Sequence, residues 1–240
     1  MFKSCKLLFK HAPTSVVMMF VISVVLMNLL ANKEIATGIS WLALDCGMLV
    51  SWVSFFSMDM LTKRFGAKAS IIISTVAIGI NLAVCIVLFA ASKVPGNWGE
   101  FYAYGDTVVN DVLNSTIGGT WYVLLGSSVA FLVSSAVNAL LNVLIGKFCM
   151  QDTLPTYIVR SWGSTILAQF VDNMVFSLLV SHVFFDWTLL QCVTCSLTGC
   201  IVELLCQVVF TPMGFRITQK WQREGVGQEY INYVGGKRSA

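Results

Sequence analysis

Charge is scarce in this sequence. Only 11% of its 240 residues are Asp, Glu, Lys or Arg, against about a quarter in a soluble domain. Histidine is scarcer still: there are 2, His11 and His182, and neither stands beside a nucleophile. No Gly-x-x-x-x-Gly-Lys-Ser/Thr run occurs, so there is no phosphate-cradling loop and no encoded ATPase. H-E-x-x-H and G-x-S-x-G are missing too. No enzyme is expected, and no cofactor or metal site. The 8 cysteines are scattered through apolar segments rather than gathered in a loop, which excludes a disulfide framework. Cys192 and Cys195 form a C-x-x-C without a second ligand pair and read as small apolar packers. No small-residue cleavage site follows the first apolar run, so that run is expected to stay as an anchor.

What is there is apolar. Hydrophobic residues make up 57% of the chain, and the mean hydropathy is +0.79. The composition predicts a single all-α membrane domain over residues 1–240. A hydrocarbon core of roughly 30 Å takes about 20 apolar residues of helix. Runs of that length occur at about 13–32, 39–58, 69–92, 120–145, 161–185 and 187–211, the last ended by Pro212. Six spans put both termini, with the tail 213–240, on one side. Of the 15 Lys and Arg, only Lys33 and Lys93 fall on the other side. The positive-inside rule then places both termini in the cytoplasm. Between the third and fourth spans, Val108, Val109, Val112 and Leu113 recur at helical spacing among polar residues. That pattern suggests a short interfacial helix, either a lid over a site or a plain connector.

Polar side chains within the spans carry the functional signal, because an ionisable group in lipid is costly unless it faces the bundle interior, a cavity or a partner. Thr165, Gln169, Asp172 and Phe176 form one helical stripe. Ser128, Ser135, Asn138 and Asn142 form another, and Cys195, Gly199, Glu203 and Gln207 a third. Asn28 and Asn32 share a face of the first span, and Asp45 and Asp59 lie on the second. Such rows either brace helices against one another or line a cavity that holds a solute. Ser128 and Asn142 suit the first reading, Asp172 and Gln169 the second. Asp59 and Lys63 stand at i, i+4 and can form a structural ion pair. His182 reads as packed or interfacial.

Several runs resemble one family. "DMLTKRFG" (Asp59 to Gly66) resembles the D-x-L-T-E-x-Y-G motif of the queuosine precursor transporters. That group belongs to the vitamin uptake transporters and has folds like the substrate-binding subunits of energy-coupling-factor transporters. "NALLNVLIGK" (Asn138 to Lys147) is similar to the family's N-S-x7-K. "RSWGSTILAQFVDNMVF" resembles R-x3-S-x4-Q-x2-D-T-x2-F at Arg160, Ser164, Gln169, Asp172 and Phe176. "VVFTPMGF" (Val208 to Phe215) looks like the family's last helix with its terminal Pro.

The chain departs from the family at four points. Lys63 stands where the family has Glu. Glu203 stands where the last helix usually carries a base, so the two are expected to form a sign-exchanged pair. Ser134 and Ser135 replace an acid, and Asn173 replaces Thr.

The resemblance implies a multi-pass transporter of a bacterial inner membrane. It would bring a 7-deazaguanine base (7-cyano-7-deazaguanine, 7-aminomethyl-7-deazaguanine or queuine) into the cytoplasm for transfer RNA modification. The chemistry of the residues suits such a base. A guanine-like ring presents two adjacent donors, which one carboxylate accepts in a bidentate pair. Asp172 is assigned that role. Gln169 and Asn138 are assigned the carbonyl edge, since an amide both donates and accepts. Phe176, Trp162 or Trp41 would stack the ring, and Arg160 would counter a carboxylate or gate the inner end. Ser164, Asp59, Glu203 and Asn28 complete the candidate site. The expected partners are the small-molecule substrate and the lipid bilayer, with no nucleic acid. A homodimer or separate energising subunits stay open. The alternative function is a substrate-binding subunit of an energy-coupling-factor type transporter for another vitamin-like solute.

Overall fold

In the computed structural model, residues 2–99, 107–148 and 154–236 are described. A short amphipathic helix, α1 (Phe2–His11), precedes α2 (Thr14–Leu30). The two are bent by 105° at Pro13, which has no N–H to continue the first helix. A hairpin follows: β1 (Glu34–Ile35) pairs antiparallel with β2 (Leu44–Asp45). Then come α3 (Met48–Phe65), α4 (Ala67–Ser92), α5 (Thr107–Gly118) and α6 (Trp121–Phe148). Next, α7 (Leu154–Phe176) runs through a π-helical turn, Ser177–Ser181, into a last turn, His182–Phe184. The chain ends with α8 (Leu189–Arg223) and α9 (Gln228–Gly236).

Among the described residues, four helical runs are long and apolar enough to cross a membrane: Ala67–Ser92, Val108–Ser134, Trp162–Phe184 and Leu189–Arg223. Taken together, α1 and α2 make a fifth as one bent pair. The chain is an all-α, multi-pass membrane protein. A bilayer also explains the large apolar residues that face outward, such as Val87 on α4 and Leu205 on α8.

Two helices differ from the expected extents. No helix covers 39–47, where the second span was drawn. Gly38 turns the chain at φ +71°. Thr37 Oγ1 donates to the Leu42 carbonyl (2.7 Å), and Asp45 Oδ1 accepts from the Gly47 N–H (2.7 Å). A short apolar run carries no periodicity strong enough to separate helix from loop. Here the deciding contacts come from α8: Gln191 and Thr194 donate to the carbonyls of Ser40 and Trp41. The hairpin also packs Ala43 and Leu44 against Trp187 and Cys195. The second difference is that Pro212 does not end α8, which continues to Arg223. Within a membrane helix, neighbouring helices and Thr side chains offset a proline's missing N–H. Thr211 Oγ1 donates to the Gln207 carbonyl (2.6 Å), and Gly214 lets α8 close onto Phe56 of α3.

The largest apolar cluster sits where the termini meet. Leu8 of α1 and Tyr230 of α9 are fully buried there beside Phe65, Met60 and Trp221. Arg64 Nε donates to the Val226 carbonyl (2.8 Å), and His11 Nε2 lies 2.7 Å from Glu229 Oε2. Gly227, at φ +72°, lies so close to Phe65 that a Cβ would overlap the ring. Both ends of the chain therefore close the same end of the bundle.

Candidate functional site

Asp172 projects from α7 into the bundle. Its Oδ1 accepts a hydrogen bond from Ser134 of α6 (2.6 Å). Its other oxygen takes no hydrogen bond among the described residues. Ser134 and Ser135 stand where the resembled family carries an acid. Ser134 instead donates to Asp172, where an acid would set a second negative charge against it.

Two cavities open on this carboxylate. The first, of about 550 Å³, is lined by Asn28, Ala31, Asp45, Gly47, Ser51, Asn173, Phe176 and Ser177, among others. The second, of about 500 Å³, is lined by Phe20, Phe55, Phe131, Ser74, Asn81 and Ser128, among others. Met27, Asn28, Ser127 and Asp172 line both, so the cavities share a wall. Asn28 Nδ2 donates to the Val24 carbonyl (3.0 Å), which leaves Oδ1 as the atom it offers the shared wall. The π-helical turn of α7 begins beside Phe176 and Ser177. Such single-turn widenings frequently mark functional positions.

The hairpin roofs the first cavity with Asp45. This carboxyl lies outside the spanning helices, and burial pushes it up to about 6, against the pull of the Gly47 and Met48 backbone N–H groups. It was visible in the sequence but was not chosen as a site residue, because it was placed inside a helix rather than on a roof.

Below the cavities, α7 and α8 run antiparallel along a polar seam. Glu203 is 1% exposed. It accepts a hydrogen bond from Ser51, and Asn173 stands beside it. Gly199 admits Asn173, whose Nδ2 would lie 2.8 Å from a Cβ there. Gln207 Nε2 donates to Asp59 (3.2 Å), and Trp162 Nε1 donates to Thr211 (3.1 Å). Gln169 is fully buried, and neither of its amide atoms has a partner among the described residues.

The eleven expected site residues are thus sorted. Asp172, Asn28 and Phe176 meet at the first cavity. Glu203, Gln169 and Ser164 are buried in the interior and are not among its lining. Asp59 lines a smaller pocket with Ser134 and Thr165. Trp162 lies ten residues from Asp172, about 15 Å along the helix, and is bonded to α8. It braces two helices and is not among the residues lining either cavity. Trp41 is half exposed on the hairpin. Asn138 and Arg160 stand on α6 and α7, and their side chains lie outside the described residues.

The sign-exchanged pair does not form. Glu203 faces Ser51, which is twelve residues, or about 18 Å of helix, from Lys63. Lys63 Nζ lies 5.2 Å from the centre of the Phe215 ring instead. Asn81 was missed altogether. A row of buried small and polar residues on α4 (Ser70, Ser74, Ala77, Asn81) was the available signal, hidden in a run noticed only for its lack of charge.

No curated protein and no solved structure matches the chain. The family model described as "Putative vitamin uptake transporter" matches residues 45–217. That stretch contains α3 to α7, most of α8 and both cavity-facing acids, and the chain belongs to this family.

Proposed function

We propose that the protein carries a 7-deazaguanine base across a bacterial inner membrane into the cytoplasm. The observation that supports this most is Asp172: a carboxylate deep in a membrane bundle, lining two cavities, with one oxygen that takes no hydrogen bond among the described residues. The ring N–H and exocyclic amine of a guanine-like base are two adjacent donors, which this carboxylate can accept beside the Ser134 hydroxyl. Phe176 offers a flat face to the ring, and Asn28 Oδ1 offers a further acceptor on the shared wall. In this reading α2 and α3 also cross the membrane, giving six spans. The lysine-bearing end closed by α1 and α9 faces the cytoplasm. Gln169 lies one turn from Asp172 toward the inner end and receives the base's carbonyl edge as it moves inward.

The test is uptake of labelled 7-cyano-7-deazaguanine in cells unable to make it, with queuosine in transfer RNA as the readout. Restored queuosine is expected when this chain alone is expressed. No uptake from cells that hold the protein in their membrane would reject the reading. Uptake that requires a co-expressed ATPase would assign the chain as a substrate-binding subunit instead.

A further inference from the structure

The second cavity contains a polar group that this function leaves unused. Asn81, on α4, is 1% exposed and lines that cavity. Its Nδ2 has no hydrogen-bond partner among the described residues. Three other polar groups around the cavity are satisfied locally: Ser54 donates to the Ser51 carbonyl, Ser74 to the Met58 sulfur, and Asn28 to the Val24 carbonyl. A buried donor without an acceptor is costly to keep. In a helix as apolar as α4 it calls for a ligand that brings the acceptor.

We infer that Asn81 is a specificity-determining residue, donating a hydrogen bond to an acceptor substituent of the solute that projects into the second cavity. This rests on the base-carrier reading above. With the donor edge of the ring at Asp172, a substituent on the five-membered ring points away from that edge. The wall shared by the two cavities lets it pass from the first into the second. Phe55 and Phe131 make the second cavity's lining largely apolar, which suits a small neutral group. A nitrile nitrogen or carbonyl oxygen accepts from Asn81 Nδ2. A protonated aminomethyl group brings three donors and a positive charge, and among the described residues Asp172 is the only acid in that lining, already engaged with the ring. The site therefore selects the cyano-substituted base over the aminomethyl one.

The experiment compares uptake of three probes by the wild type and by Asn81→Ala: 7-cyano-7-deazaguanine, its 7-aminomethyl analogue and unsubstituted 7-deazaguanine. The wild type should favour the cyano compound, and Asn81→Ala should lower its uptake about fivefold or more, the worth of one hydrogen bond. Uptake of the unsubstituted ring should stay within about twofold, which also shows the variant folded. An equal loss for all three probes, or no loss for the cyano compound, overturns the assignment. If Asn81→Ala fails to reach the membrane, Asn81→Leu, which keeps the volume and removes the donor, is read instead. It should abolish the preference for the cyano probe over the unsubstituted ring, and an unchanged preference overturns the proposal. A wild type that takes up none of the three defeats the base-carrier reading and this inference together. A wild type that takes up all three, with Asn81→Ala indistinguishable from it, defeats this inference alone.

Discussion

At one end of the bundle, Leu8, Phe65 and Tyr230 close over a continuous apolar cluster. Toward the other, Asp172, Asn28 and Asp45 face open space. The two regions are built from the same few helices: α2 and α3 contribute to both. The difference lies in what each helix turn presents. Where α3 meets α1 and α9 it offers Met60, Leu61 and Phe65, all nearly inaccessible. Three turns earlier it offers Ser51 to Glu203 and Gly47 to the hairpin. Burial of apolar side chains holds the first region closed. The second keeps polar groups in an environment where each needs a partner, and several have none among the described residues. A closed region of this kind serves stability, and an incompletely paired one serves a ligand.

Substitutions at the two regions should separate these roles. The largest effect is expected at the closed end. Leu8 is fully buried between α1 and α9, and Leu8→Ala removes its transfer energy and leaves a cavity, costing about 2–5 kcal/mol. A melting curve of the purified protein should shift down accordingly, while the concentration of base giving half-maximal uptake stays at the wild-type value. A change in that concentration would mean that the two ends are coupled rather than separate.

The next effect falls at the open region. Asp172→Asn keeps the shape of the side chain but turns one acceptor oxygen into a donor, opposite the donors of the base. Uptake should fall at least about tenfold, since a charged acceptor is lost and a ligand donor is left unpaired. The amount of protein in the membrane should not change. Uptake at the wild-type rate would remove Asp172 from the site.

The sequence made this contrast only partly legible, and the reasons are physical. The stripe through Gln169, Asp172 and Phe176 could be read because polar residues stand out at a 3.6-residue period in an apolar helix. That period places them on one face but cannot say what they meet. Asp172 and Phe176 reach a cavity, whereas Gln169, on the same stripe, is enclosed. Trp162 is expected as a stacking surface, and the sequence does not show that its indole N–H reaches Thr211 of α8. The hairpin at 34–45 was illegible because "ISWLALD" is apolar enough for a span, and what holds it as a loop is tertiary: Gln191 and Thr194 of α8. The course of α8 past Pro212 was hidden likewise, since Phe56 and Gly214 meet from segments far apart in sequence. The Lys63–Glu203 pair was drawn from a correspondence of types along two helices. The register between those helices, which sets Glu203 beside Ser51, cannot be read from either helix alone.

The smallest effect sharpens the account of the closed end. His11 and Glu229 approach to 2.7 Å across α1 and α9, but their side chains are 28% and 59% exposed. An ion pair in that setting is screened by solvent and contributes between nothing and about 1 kcal/mol. Glu229→Gln should therefore lower the melting temperature far less than Leu8→Ala does, and the difference from wild type should shrink further in high salt. Apolar burial by Leu8 and Tyr230, not the charge pair above them, then accounts for how the termini are held. A loss from Glu229→Gln as large as that from Leu8→Ala would reverse this order. The contact between α1 and α9 would then depend on the ionisation of two exposed groups, and the closed end would be a place where pH acts on the protein.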